Sequence, residues 1–164
     1  MKKGQKGFSL IELLIVVAII LIIAAIAIPN LLRARMAANE SSAVGSVRTI
    51  NTAEISYFTT YGLGFTPLAN LGGAAATCTG AAGATSTAAC LVDATLAAGT
   101  KSGYNITTTG GVGTASAPTV AYTVTAVPVT PGQSGQRQFF SDQSGVIRYT
   151  SNGGAATVAS PALQ

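Results

Sequence analysis

A run of sixteen residues without a polar side chain, Leu13 to Ile28, limits most strongly what this chain can fold into. The wider apolar block, Phe8 to Ile28, would form a helix about 31 Å long, close to the thickness of a bilayer's hydrocarbon core. Three lysines precede the block, a position where lysine is typical of the cytoplasmic flank of a membrane helix. The sequence therefore predicts a helix that crosses a membrane. The lysines are Lys2, Lys3 and Lys6.

Two alternatives fit such a helix, a retained anchor and a secretory signal peptide. A signal peptide ends its apolar region with small residues at a cleavage site, and this block offers a partial match. The apolar pattern alone leaves both alternatives open. The small residues are Ala24, Ala25 and Ala27.

Glu12 is the one acid inside this apolar block. A carboxylate near the centre of a bilayer costs roughly 2.5–3.5 kcal/mol, although the cost falls near the membrane surface. Acids in such segments usually have a cationic partner. The next charged residue along the chain is Arg33, so the sequence predicts that a partner for Glu12 comes from another molecule.

The residues around this acid closely resemble the N-terminus of type IV pilins. A basic leader ending in glycine, an acid early in the apolar block and a proline at its end all occur in register between Gly7 and Asn30. The matching stretches are Lys2-Lys3-Gly4-Gln5-Lys6-Gly7, Phe8-Ser9-Leu10-Ile11-Glu12-Leu13, Val16-Val17-Ala18-Ile19-Ile20 and Ala24-Ala25-Ile26-Ala27-Ile28-Pro29.

This resemblance implies a processing and assembly scheme. A prepilin peptidase would cut between Gly7 and Phe8, removing residues 1–7 as a leader peptide, and the new amino group of Phe8 would be methylated. Residues 8–29 would be retained, first as a transmembrane helix and then as the core of a filament. Glu12 would pair with the N-terminal amine of a neighbouring subunit. Opposite charges in a water-poor filament core attract strongly, so the pair would hold subunits in one axial register.

Leu21 departs from the family pattern, which usually has glycine at that position. Leucine favours helix by about 1 kcal/mol over glycine. Pro29 removes a backbone donor and disfavours helix at Ile28. We therefore expect a kink at Pro29 and a shorter unwound stretch in the filament than the family usually has.

Residues 30–61 read as an amphipathic helix, because apolar side chains recur at spacings of three, four or seven. Gly62 and Pro67 provide a stop. The whole helix, Phe8 to Tyr61, would be about 80 Å long, and its first half would protrude because it has no core to pack against. The recurring side chains are Val44, Val47, Ile50, Tyr57 and Tyr61.

The remaining chain predicts an α+β head, residues 30–164, in which the second half of the helix packs on a small antiparallel sheet, the pilin fold. We expect a loop region over 62–101, the sheet of three or four strands over 102–150 and a C-terminal tail over 151–164. A hairpin turn at 142–145 follows from its Asp, Ser and Gly residues. The candidate strands are Tyr104 to Thr109, Thr119 to Val127, Gln138 to Ser141 and Val146 to Thr150.

Cys78 and Cys90 lie in the loop region, twelve positions apart. That spacing does not fit a C-x-x-C redox or zinc motif. In an exported domain the pair is better interpreted as a disulfide, which would add roughly 3 kcal/mol of stability by closing a short loop.

Composition argues against an enzyme. The chain has no histidine, the commonest general base, and its acids are too dispersed for a catalytic dyad. Without the three leader lysines, six basic residues face five acids, which is no nucleic-acid footprint. We expect no catalytic site, cofactor, metal or nucleic-acid contact. The acids are Glu12, Glu40, Glu54, Asp93 and Asp142.

The resemblance implies a structural subunit that polymerises into a type IV pilus used for adhesion, motility or DNA uptake. Its partners would be copies of itself, the prepilin peptidase, the assembly machinery and the bacterial inner membrane. The head would be periplasmic before assembly and on the cell surface afterwards. A pseudopilin of a type II secretion system is one alternative, although acids beyond Glu54 are too few for that family's calcium site. A membrane-anchored binding module that never polymerises is the other.

Overall fold

The computed structural model describes residues 8–79, 83–151 and 153–163. Its first element, helix α1 (Leu10–Tyr61), contains 52 residues, and the chain divides into two units between Arg35 and Met36. The helix continues through Pro29, and the kink expected there stays a prediction. The helix ends as predicted, because Gly62 adopts a left-handed conformation with φ of 69° and donates its N–H to the carbonyl of Phe58 at 3.0 Å.

The first unit consists of the apolar part of α1. Every large apolar side chain from Phe8 to Leu32 is exposed, ranging from 44% for Val17 to 84% for Phe8. Burying one such side chain is worth about 1.5–3 kcal/mol. An exposed surface of this size is unfavourable in water, so it requires an apolar environment.

The second unit is an α+β head. Its five-stranded sheet is antiparallel throughout and has the sequential order β1-β2-β3-β4-β5. The strands are β1 (Thr100–Lys101), β2 (Tyr104–Thr109), β3 (Thr123–Pro128), β4 (Gln138–Asp142) and β5 (Arg148–Thr150). The fold class predicted from the sequence, a long N-terminal helix followed by a small antiparallel sheet, is confirmed.

Some local expectations need correction. The sheet has five strands and not the three or four expected, and β1 was missed because it is only two residues long and carries no alternating pattern. The strand expected from Thr119 begins at Thr123, and Val120, which lies before it, is 71% exposed. Thr119 instead forms an isolated bridge with Gly64. The Ala-rich loop region contains three short helices, α2 (Leu68–Leu71), α3 (Ala75–Thr79) and α4 (Ala94–Ala97).

The core of the head forms between α1 and one face of the sheet. In β2, Tyr104 and Ile106 are buried while Asn105 is exposed, the alternation expected of a half-buried strand. Short helices α2 and α4 close the core, α2 with Leu68 and Leu71 and α4 with Leu96. The largest fully buried apolar side chains are Val47, Ile50, Tyr57, Leu71, Leu96, Tyr104, Ile106, Val124 and Phe139.

Glu40 fastens the segment before β4 to α1. Its Oε1 accepts the backbone N–H groups of Gln136 and Arg137 at 2.9 and 3.1 Å, and its Oε2 pairs with the Arg137 guanidinium at 2.7 Å. Burial opposes ionisation of Glu40, but these hydrogen bonds outweigh it and lower its pKa. The Arg137 guanidinium also lies over the rings of Phe139 and Tyr149, so one cation joins the helix to two strands.

Glu54 is fully buried between α1 and the chain that follows it. Its Oε2 accepts the backbone N–H of Thr66 at 3.0 Å, whereas Oε1 is buried without a hydrogen-bond partner among the described residues. Burial raises the pKa of Glu54 to about 7, and the Thr66 N–H opposes that shift only in part. The carboxyl group therefore holds its proton in the folded head to a higher pH than in the unfolded chain.

This buried acid predicts that the head loses stability as pH rises. Between pH 4.5 and 7 the unfolded chain binds fewer protons at Glu54 than the folded chain, so the free energy of unfolding falls, by roughly 3 kcal/mol in all. Denaturation of the full chain in detergent across this range should show the fall, and Glu54→Gln should remove it. The matched control Asp142→Asn, which changes an acid in the hairpin turn, should keep it. An unchanged pH profile in Glu54→Gln would contradict the assignment.

Candidate assembly site

Glu12, the acid singled out in the sequence, caps the first turn of α1. Ser9 precedes the helix and accepts the N–H of Leu13 at 3.2 Å, and its own N–H donates to Oε2 of Glu12 at 2.9 Å. This is one half of a capping box, in which the third helical residue reaches back to the N-cap. The backbone thereby fixes where the Glu12 carboxylate lies, one turn from Phe8.

The Glu12 carboxylate retains capacity for a second partner. Its other oxygen, Oε1, makes no hydrogen bond within the described part of the chain, and the residue is exposed. A free amino group on Phe8 would be a cation at the same helix end. An acid near a helix N-terminus is also favoured by the helix dipole. The Glu12 carboxylate can therefore accept one backbone N–H from within the chain and also pair with a cation from outside it.

Sequence reasoning missed Ser9 as part of this site. The signature was available, since Ser9-Leu10-Ile11-Glu12 is an S-x-x-E pattern ahead of an apolar run. Of the predicted site residues, Phe8 and Glu12 lie together at the helix start. Pro29 lies in the helix interior, far along the chain from them, and Gly7 lies outside the described residues. Cleavage, methylation and the assembly role of Glu12 stay predictions.

The predicted disulfide is confirmed. Cys78 in α3 and Cys90 are bonded, with their Cα atoms 5.6 Å apart. Gly73 lies against the bridge, because a Cβ added there would be 2.7 Å from Sγ of Cys78. A side chain at this position would therefore force the bridge or the backbone around Gly73 to shift. No group of three or more metal-ligating side chains occurs among the described residues.

Together these observations describe an α+β head preceded by an apolar helix that is long enough to cross a membrane. By length and composition, α1 is apolar enough to cross a membrane, and none of its most apolar window is buried. An acid lies in its first turn, and a disulfide-bonded α+β head follows in the same chain.

Comparison with known proteins finds similarity in a limited part of the chain. The profile of the prokaryotic N-terminal methylation motif matches residues 2–28. The chain is 48% identical over 54 residues, 33% of its length, to the type IV major pilin protein PilA of Myxococcus xanthus. It is 64% identical over 39 residues, 24% of its length, to the type IV wide pilus major component PilA4 of Thermus thermophilus. No solved structure matches the chain significantly.

The resemblance predicted from the sequence is therefore confirmed: the chain carries the N-terminal methylation motif and is homologous to type IV major pilins. The matched segments span 24% and 30% of the length of those relatives. The likeness thus concerns a limited part of each protein.

Reduction of the disulfide should destabilise the head. Opening a loop of this size removes roughly 3 kcal/mol on the chain-entropy model. Denaturation of the full chain should shift by that order on adding a thiol reductant. The Cys78→Ser, Cys90→Ser double variant should begin at the reduced value and not respond to reductant. A response in the double variant would contradict the assignment.

Two substitutions at Glu12 separate its capping role from its charge. Glu12→Gln keeps a side-chain acceptor for the Ser9 N–H but loses the negative charge, whereas Glu12→Ala loses both. If the charge drives assembly, both variants should insert into membranes and both should fail to form normal filaments. Filament yield from sheared cells, measured against membrane-inserted subunit, checks this. Normal yield from Glu12→Gln would show that the charge is dispensable.

Proposed function

We propose that this chain is a structural subunit that polymerises through its N-terminal helix into a type IV pilus. The observation that carries the proposal is the apolar surface of α1 from Phe8 to Leu32, which is exposed over its whole length and has Glu12 at its start. A bilayer can cover this surface before assembly, and copies of the same helix can cover it afterwards.

Processing would precede polymerisation. We propose that a prepilin peptidase cleaves between Gly7 and Phe8 and that the Phe8 amine is then methylated, consistent with the motif matched over residues 2–28. The unprocessed chain would lie in the bacterial inner membrane with its head in the periplasm, the oxidising side that suits the Cys78–Cys90 disulfide. The assembly machinery of that membrane would then deliver subunits to the fibre.

The role of the mature chain would be structural and not enzymatic. The relatives PilA and PilA4 are named as a major pilin and a major pilus component. Use of the fibre in adhesion, motility or DNA uptake would depend on the exposed surfaces of the head and on the machinery that extends and retracts the fibre.

Electron microscopy of material sheared from cells, combined with mass spectrometry, tests the proposal. The expected result is a fibre composed of this chain, with a mass that begins at methylated Phe8. A protein found only in the periplasmic fraction would favour a secretion pseudopilin. A membrane-bound chain that begins at Met1 and forms no fibre would favour an anchored binding module.

A further inference from the structure

Two arginines follow directly where the apolar surface of α1 ends. Arg33 comes immediately after Leu32 and Arg35 lies two residues further on, and both are exposed. Residues two apart on a helix point to nearly opposite sides, so the two guanidinium groups flank the helix and do not form one stripe. Neither makes an ion pair or hydrogen bond within the part of the chain that the structure describes.

A second copy of the chain has few acids to offer these arginines. Asp93 pairs with Lys101 at 2.8 Å, and Glu40 pairs with Arg137. Glu54 is fully buried. Apart from the buried Glu54, only Asp142 among the acids of the head lacks a cation, and its Oδ1 already accepts the Ser144 N–H at 2.9 Å. A polymer of this chain would therefore offer few acidic partners to Arg33 and Arg35.

The length of the helix places the two arginines at a membrane surface. Glu12 and Arg33 are separated by about 31 Å along α1, and the hydrocarbon core is about 30 Å thick. If Glu12 lies at one boundary of that core, Arg33 and Arg35 lie at the other. Arginine binds phosphate with a planar, bidentate group and can extend its side chain toward the headgroups.

We infer that Arg33 and Arg35 each bind an anionic phospholipid and that these two contacts hold the membrane-anchored subunit at a fixed depth before assembly. The phosphate of an acidic lipid headgroup is the ligand, in the leaflet that adjoins Arg33. The inference rests on the proposed membrane-anchored stage. It adds two lipid contacts that are lost when the subunit leaves the bilayer, so extraction into a filament would have to break both of them.

Native mass spectrometry of the full chain, released from vesicles of mixed phosphatidylcholine and phosphatidylglycerol, tests this site. The wild-type chain should retain phosphatidylglycerol in preference to phosphatidylcholine. The Arg33→Gln, Arg35→Gln double variant should lose about 5-fold of that preference per arginine, about 25-fold in all. The Arg33→Lys, Arg35→Lys variant should keep most of it. Arg48→Gln, which removes an exposed arginine of the head, is the matched control and should behave as wild type.

Other outcomes overturn the inference in distinguishable ways. Equal lipid preference in wild type and the double glutamine variant would contradict lipid binding by these arginines. A loss of preference in Arg48→Gln as large as in the double glutamine variant would contradict it too. Displacement of the lipid by inorganic phosphate alone would identify a free-anion site instead. Flotation of the chain with the vesicles is measured first. A chain that does not float with them contradicts the proposed anchored stage as well, whereas one that floats without lipid preference contradicts only this inference.

Discussion

The exposed apolar surface of α1 between Phe8 and Leu32 is the constraint on which the other features of the chain depend. Seventeen large apolar side chains lie on it, and each would gain about 1.5–3 kcal/mol on leaving water. The core of the head is built from its own side chains and includes none of those on this surface. We therefore expect the surface to be covered by lipid or by other helices.

Moving between those two environments gains little apolar free energy. Lipid tails are as apolar as leucine, so the hydrophobic effect does not favour helix–helix contact over helix–lipid contact. In the proposed assembly, polar contacts would then determine which of the two environments the helix occupies. The Glu12 carboxylate has one oxygen committed to Ser9 and the other open, which suits a contact that exists only beside a second subunit. Because such a pair is strong in a dry environment, it can favour one register over all others.

What could be predicted from the sequence depended on how local the determinants are. The apolar helix, its end at Gly62 and β2 follow from residues close together in the chain, and each was predicted. Glu40 and Glu54 were seen only as dispersed acids, because their roles depend on Gln136, 96 residues away, and on Thr66 across a chain reversal. Strand β1 is defined by its pairing with β2, and its two residues are too few to show a strand pattern in the sequence. The capping box at Ser9, by contrast, was local and could have been found.

The positions of Leu21 and Pro29 predict where α1 would loosen in a filament. Breaking helix inside a bilayer leaves backbone groups without partners, at several kcal/mol each, so the helix should stay intact in the membrane. Leu21 lies within continuous helix and favours it by about 1 kcal/mol over glycine. Pro29 has no N–H to give, so the carbonyl of Ala25 already lacks its helical donor. Any unwinding in a filament should therefore begin between Ala25 and Pro29, where one hydrogen bond is absent from the start, and should have to extend past intact turns to reach Leu21.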